Sequence, residues 1–200
     1  MDIPTLTLKP IGVIHTPYQD RHRTPRQPSL AERECRATIT LYPHQNYEQA
    51  LADLAGFDML WIISWFHENR TWKPKVLPPR GPRKKRGLFA TRSPHRPNPI
   101  GISAARLLSI EGRTLHIGAT DLLSGTPILD IKPYIPYADA FSEARAGWVD
   151  EMTAADGVLK PEHKAYRVEW SALAREQALW LSKSHGIDLY EDAVRILIQD

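Results

Sequence analysis

Arg92, Ser93, His95, Arg96 and Asn98 are crowded into the stretch GLFATRSPHRPNPIG at 87–101, interleaved with Pro94, Pro97 and Pro99. Two cations, an imidazole, a hydroxyl and a carboxamide held this close together suit the binding of a polar ligand. Proline fixes backbone angles and withdraws amide donors. After a strand-like start at Leu88-Phe89-Ala90, the stretch is therefore expected to leave its sheet as a stiff, exposed loop and to resume extended structure at Ile100. Pre-set turns reduce the entropy lost on ordering around a ligand. The same composition also describes a proline-rich crossover that only resists slippage, and composition does not choose between the two.

Other polar groups stand where a core residue would not. His67 and Glu68 close the most apolar run of the chain and read either as the rim of a site or as a capped strand end. The run Asp121-Leu122-Leu123-Ser124-Gly125-Thr126-Pro127 is a turn whose exposed amides could meet a ligand, or simply a tight turn. Asp130, Lys132 and Tyr134 sit in ILDIKPYIPY at 128–137, where Asp130 either faces a cleft or pairs with Lys132. The eight histidines show no paired helical spacing and Cys35 is the single cysteine, so no metal site and no internal disulfide are expected. Cys35 reads as a small strand residue rather than a nucleophile.

Net charge is only +3, but it is unevenly spread: no acidic residue falls between Glu68 and Glu111, whereas Lys73, Lys75, Arg83, Lys84, Lys85 and Arg86 do. Such a field suits a polyanion, because each cation that neutralises a phosphate releases a condensed counterion; the plainer reading is a solvated basic loop. With 42% hydrophobic residues, no apolar run of about 20 residues, and no basic-then-apolar start, the chain is expected to be a cytoplasmic protein without a membrane span.

The elements that must position these groups are mostly strands. Leu6–His15 and Cys35–Leu41 alternate apolar with polar, and Phe57–Phe66 is a central strand. Ile100–Ile110 and Arg113–Leu122 form two more, joined at Glu111-Gly112, and Ile128–Tyr137 is a last strand broken by Pro133 and Pro136. Asn46–Leu54 is expected to be a short helix, capped by Asn46 and presenting Ala50, Leu51 and Leu54. Many short strands with one helix point to an antiparallel β-barrel or sandwich, and there is no Gly-x-Gly-x-x-Gly. After residue 141 the composition changes. Residues 142–160 read as a linker, and 161–200 as a small helical unit. Within that unit a helix runs from Ser171 to His185, with Trp170, Leu173, Ala174, Gln177 and Leu181 on one face and Gly186 as its stop. A capping-box-like pair, Asp188 and Glu191, opens a second helix.

Taken together, IGVIHTPY at 11–18, PRQP at 25–28, FDMLWIISWFH at 57–67, RGLFATRSPHRPNPIG at 86–101 and DLLSGTPILDIKPYIPY at 121–137 resemble one family. It is the TrmO (YaeB, or TsaA-like) family of tRNA N6-adenosine methyltransferases. The resemblance implies a mainly β protein: a single-sheeted antiparallel β-barrel over residues 1–141, with a partial helical unit behind it. It also implies S-adenosylmethionine as cofactor, a homodimer with the cofactor near the interface, and methylation of N6 of threonylcarbamoyl-adenosine beside the anticodon of threonine tRNAs. Carried over by motif, cofactor contacts fall on Gln27, Pro28 and Ser29, on His67 and Glu68, on Arg92, on Ile102, and on Asp121, Leu122, Leu123, Ser124 and Gly125. The family position of His95 is often an aromatic such as phenylalanine. Members continue past the equivalent of Ile198-Gln199-Asp200 into an Asp-Pro-Arg-Pro-like motif.

The sulfonium is an activated methyl donor, so the protein's task is to align donor and acceptor. Asp130 or a neighbour would take the acceptor's proton, with Lys132 or Arg92 offsetting the threonyl carboxylate. The basic run would grip the anticodon stem-loop. The rivals are a non-catalytic RNA-binding barrel in which Phe89 stacks on bases, and a methyltransferase acting on another substrate.

Overall fold

A computed structural model describes residues 4–20, 24, 36–79, 83–151, 169–186 and 189. The chain divides into two compact units, one of Met1–Pro78 with Arg83–Ser142 and one of Pro79–Pro82 with Glu143–Asp200.

The first unit is mainly β. Strands β1 (Gly12–His15), β2 (Ala37–Leu41), β3 (Met59–Trp65), β6 (Ile100–Glu111), β7 (Thr114–Ile117) and β8 (Pro127–Pro133) form one antiparallel sheet. Its order is β1-β2-β7-β6-β3-β8, and β8 pairs back with β1 through Gly12↔Ile128 and Val13↔Pro127, closing the barrel. Two short strands, β4 (Lys75–Val76) and β5 (Arg86–Gly87), pair as a separate ribbon. Alternation sends one face of each strand inward. Ile14, Ile39, Leu60, Ile62, Leu115, Ile117 and Ile128 are each 0% exposed and make the core. A register shift between Ile63 and Ser64 lets β8 turn both Ile128 and Ile131 toward that core.

Several boundaries differ from the sequence reading. Leu6 and Leu8 are 78% and 48% exposed, and β1 starts only at Gly12, beyond Pro10, which has no amide to give a ladder. Residues 88–90 form a 3-10 turn instead of a strand start. The expected helix is one turn, Tyr47–Ala50, preceded by Asn46 in the left-handed region without a side-chain cap bond. Leu51 and Leu54 face the core but Ala50 is exposed. The strand after Gly112 ends at Ile117, and the last strand ends at Pro133, with Pro136 opening a helical turn, Pro136–Asp139. Cys35 lies outside the described residues.

In the second unit the helix Ala172–His185 has both expected ends. Ser171 Oγ accepts a hydrogen bond from Ala174 N at 3.2 Å, and Gly186 closes it with φ 67°. Ala178 is its buried residue, whereas Leu173 is 63% exposed and Gln177 is exposed, so the buried face is shifted from the expected one. Asp188 and Glu191 lie outside the described residues, as do residues 152–160 of the expected linker. No helix among the described residues is long and apolar enough to cross a membrane.

Closure leaves no room at Gly12, where an added Cβ would meet Thr40 O at 2.5 Å and Leu41 Cα at 3.0 Å. Gly12→Ala is expected to cost about 1–3 kcal/mol in urea unfolding, since only backbone movement relieves the clash. Gly87→Ala, with φ −57° and open space around it, should change stability by less than about 1 kcal/mol.

Candidate functional site

The antiparallel registers bring the C-terminal ends of β1, β3 and β7 and the N-terminal ends of β2, β6 and β8 to one end of the sheet. The loops at that end hold almost every polar group singled out from the sequence. The connection carrying Gln27, Pro28 and Ser29 leaves from β1 and returns to β2 there, but those three residues lie outside the described ones.

Asp121 is the electrostatic centre of this end. Its carboxylate accepts a hydrogen bond of 2.6 Å from Ser103 Oγ. Burial pushes its carboxyl above the usual aspartate range. The Ser103 hydroxyl, its own backbone amide and the positive charge of Arg92 each pull the other way, more weakly. Arg92 and Asp121, far apart in sequence, are thus brought within electrostatic reach. Ser103 was missed by sequence reasoning. Its signal is a polar residue on the inward phase of β6, opposite Ile62 of the core. Beside it, Ser64 Oγ is wholly buried with no hydrogen-bond partner among the described residues. Gly101 keeps this corner open, because a Cβ there would stand 2.7 Å from Ser64 Oγ and from the Phe66 ring.

The turn after Asp121 is fastened rather than free. Ser124 N donates to Tyr18 O at 2.8 Å, Gly125 N to Ile14 O at 2.8 Å and Thr126 N to Leu123 O at 3.2 Å. Leu122 N donates to Thr120 Oγ1 at 3.3 Å, and the Leu122 side chain is 3% exposed in the core. The amides of Leu122, Ser124, Gly125 and Thr126, expected to be exposed here, are therefore already engaged. Thr16 ties the turn to β1: its hydroxyl donates to Leu122 O at 3.1 Å and its amide to Ser124 Oγ at 3.3 Å.

The loop 87–101 is stiff for a further reason besides proline. Thr91 Oγ1 donates to Leu88 O at 2.8 Å, Ser93 N to Thr91 Oγ1 at 3.3 Å, and Arg96 Nη1 to Thr91 O at 3.0 Å. Arg96 is thereby a brace of the loop, while Arg92 is exposed. Phe66 N donates to Pro99 O at 2.7 Å and Lys73 N to His95 O at 3.2 Å, joining the loop to β3 and to the basic segment. His95 Nδ1 is buried and has no partner among the described residues.

Other expected contacts lie on the outer face. Ile102 is 58% exposed opposite Ile63, with Ile100 and Trp65 next along the pair, so it points away from the side that Ser103 lines. His67 is half-buried with its ring 6.4 Å from that of Trp65, and Glu68 is exposed. Asp130 is held by Lys132 Nζ at 2.9 Å and by Ile131 N at 2.9 Å, which makes it one half of a surface ion pair. Lys73, Lys75, Arg83, Lys84 and Lys85 are exposed and Arg86 half-buried, around the β4–β5 ribbon. Among the described residues no group of three His, Cys, Asp or Glu side chains could hold a metal.

Fold and site together define a small antiparallel barrel protein with a loop-built cluster of charged and polar residues at one strand end and a basic ribbon beside it. The chain belongs to the tRNA-methyltransferase O family, whose N-terminal domain model matches residues 13–140. It is 40% identical over 198 residues to RcsF of Pseudomonas aeruginosa, whose name describes an S-adenosylmethionine-dependent methyltransferase, covering 98% of this chain and 79% of that one. It is 36% identical over 182 residues to the Escherichia coli tRNA (adenine(37)-N6)-methyltransferase, covering 88% and 73%. A crystal structure of TrmO from Pseudomonas aeruginosa superposes with a TM-score of 0.68 at 37% identity, covering 100% of this chain and 84% of that one.

The raised Asp121 carboxyl fixes the sign of a pH effect. Between the ordinary aspartate range and its raised folded value, the folded state binds more protons than the unfolded one, so its contribution to stability falls as pH rises through that window. Asp121→Asn, which keeps an acceptor for Ser103, removes that fall. Urea unfolding across the acid range should therefore show wild type losing stability relative to Asp121→Asn as pH rises; a constant difference would contradict the assignment.

Proposed function

We propose that this chain is an S-adenosylmethionine-dependent methyltransferase acting on N6 of the adenosine beside the anticodon of tRNA, with threonylcarbamoyl-adenosine in threonine tRNAs as its acceptor. The observation that carries the reading is that exposed Arg92 and half-buried Asp121 stand within electrostatic reach of each other at the loop-bearing end of the barrel, in a chain of this family. The donor set fits the cofactor. S-adenosylmethionine presents an ammonium, a carboxylate and ribose hydroxyls, and supplies an activated methyl on a sulfonium. Asp121 would take a cationic or hydroxyl donor, which offsets the cost of its burial, and Arg92 a carboxylate. Ser64 Oγ is an additional hydrogen-bonding group left over in the same corner.

The chain's own part is then binding, alignment and exclusion of water. The braced loop 87–101 keeps Arg92 in place, and the stapled turn at 121–126 keeps Asp121 in place, so little ordering remains when the reactants meet. Gln27, Pro28, Ser29, His67, Glu68 and Ile102 complete the proposed cofactor contacts. In that arrangement the outer-face group of Ile63, Trp65, Ile100 and Ile102 supports a homodimer with the cofactor near its interface, since large apolar side chains at 58% and 42% exposure favour cover. The exposed lysines of the β4–β5 ribbon would meet anticodon-stem phosphates. In this reading residues 142–160 are a linker and residues 161–200 a small helical unit, and the protein works in the cytoplasm.

Label from radioactive S-adenosylmethionine is expected on threonine tRNA drawn from cells that make the threonylcarbamoyl modification and not on the same tRNA from cells that lack it. Equal labelling of both would replace the acceptor, and labelling of neither would remove the catalytic reading. Because Asp130 is engaged by Lys132, Asp130→Asn should keep its single-turnover rate within about fivefold of wild type, the scale of a surface ion pair. A much larger loss would return Asp130 to the role of proton acceptor.

A further inference from the structure

Phe89 sits in the 3-10 turn Leu88–Ala90 directly before Arg92. The turn splits its two large apolar side chains. Leu88 is 2% exposed and anchors the turn, whereas Phe89 is 78% exposed and projects its ring into solvent. The ring has one partner that matters, the Arg96 guanidinium, whose central carbon lies 5.6 Å from the ring centroid. Arg96 is not free to swing away, because its Nη1 donates to Thr91 O at 3.0 Å and lies 3.5 Å from Ser93 O. An exposed aromatic ring is therefore backed by a cation whose own position is braced.

The surroundings select the partner. No carboxylate occurs in sequence from 69 to 110, and Arg86, Arg92 and Arg96 flank the ring along the chain. The basic segment is fastened to the same turn through Leu88 N to Pro74 O at 3.0 Å. A protein surface docking on a phenylalanine would favour apolar neighbours around it. A ring backed by one guanidinium in a stretch of chain rich in cations instead matches the way unpaired nucleobases are held, by stacking on an aromatic or cationic plane while nearby cations meet the phosphates.

We infer that Phe89, backed by Arg96, is the platform on which an unpaired nucleobase of the RNA substrate's loop stacks. The inference rests on the tRNA reading above and adds the residue that would grip the loop rather than the stem. The full chain is titrated with a synthetic anticodon stem-loop RNA carrying 2-aminopurine in its loop. Phe89→Ala is expected to weaken binding by about tenfold to a hundredfold and to abolish the stacking change in fluorescence, the scale of losing one stacked base. Phe89→Trp should restore both, and Phe89→Leu, which keeps apolar bulk without a π face, should not. Wild-type affinity and fluorescence in Phe89→Ala overturn the inference. So does rescue by Phe89→Leu, or a loss of RNA affinity accompanied by an equal loss of cofactor affinity in calorimetry or by a change of oligomeric state in sedimentation. Lys84→Glu with Lys85→Glu separates the two levels: if that variant loses RNA affinity while Phe89→Ala does not, the stacking platform fails and the RNA reading stands; if neither changes binding, both fail.

Discussion

Everything at the loop-bearing end depends on the sheet closing at Gly12. There β1 runs between Leu41 on one side and Ile128 on the other, with Thr40 O so near that no side chain fits. Closure places the start of β8 beside the end of β1. That proximity is what allows Gly125 N to reach Ile14 O, Ser124 N to reach Tyr18 O, and Thr16 to bond on both sides of the turn. Asp121 is aimed by this network, so a contact remote from any charged group sets the position of the most perturbed one.

The same end breaks the rule that builds the core. Toward the middle of the barrel the inward positions are isoleucine and leucine, but at this end they become Ser64, Gly101 and Ser103, with Asp121 over them. A half-buried carboxylate raised by desolvation and a buried hydroxyl without a partner among the described residues both oppose stability. Groups of this kind persist where a ligand completes them, and Arg92 is held by a braced loop on the same side.

How much of this was legible in the residues follows from what each signal requires. Met59–Trp65 and Ile100–Glu111 stood out because alternation and β-branched or aromatic content agree, and Ala172–His185 because a serine and a glycine mark its ends. The start of β1 was misjudged, since Leu6 and Leu8 continue an apolar alternation with nothing to pair against. Leu88-Phe89-Ala90 has strand-like composition but is held by a turn. Arg92 and Asp121 were visible as individual polar residues in loops. Ser103, Ser64 and Thr16 were not, because a small hydroxyl in an apolar strand has no meaning until register places it, and their partners are long-range.

The loop 87–101 keeps most of its described polar bonds to itself and touches the rest of its unit through few fastenings, Pro99 to Phe66 and His95 to Lys73 among them. Such a segment behaves as a cassette: it is carried whole by the barrel, and the side chains of Thr91, Ser93 and Arg96 hold its shape from within. Exchange of the cassette between related chains is then a route by which recognition can diverge while the barrel stays the same.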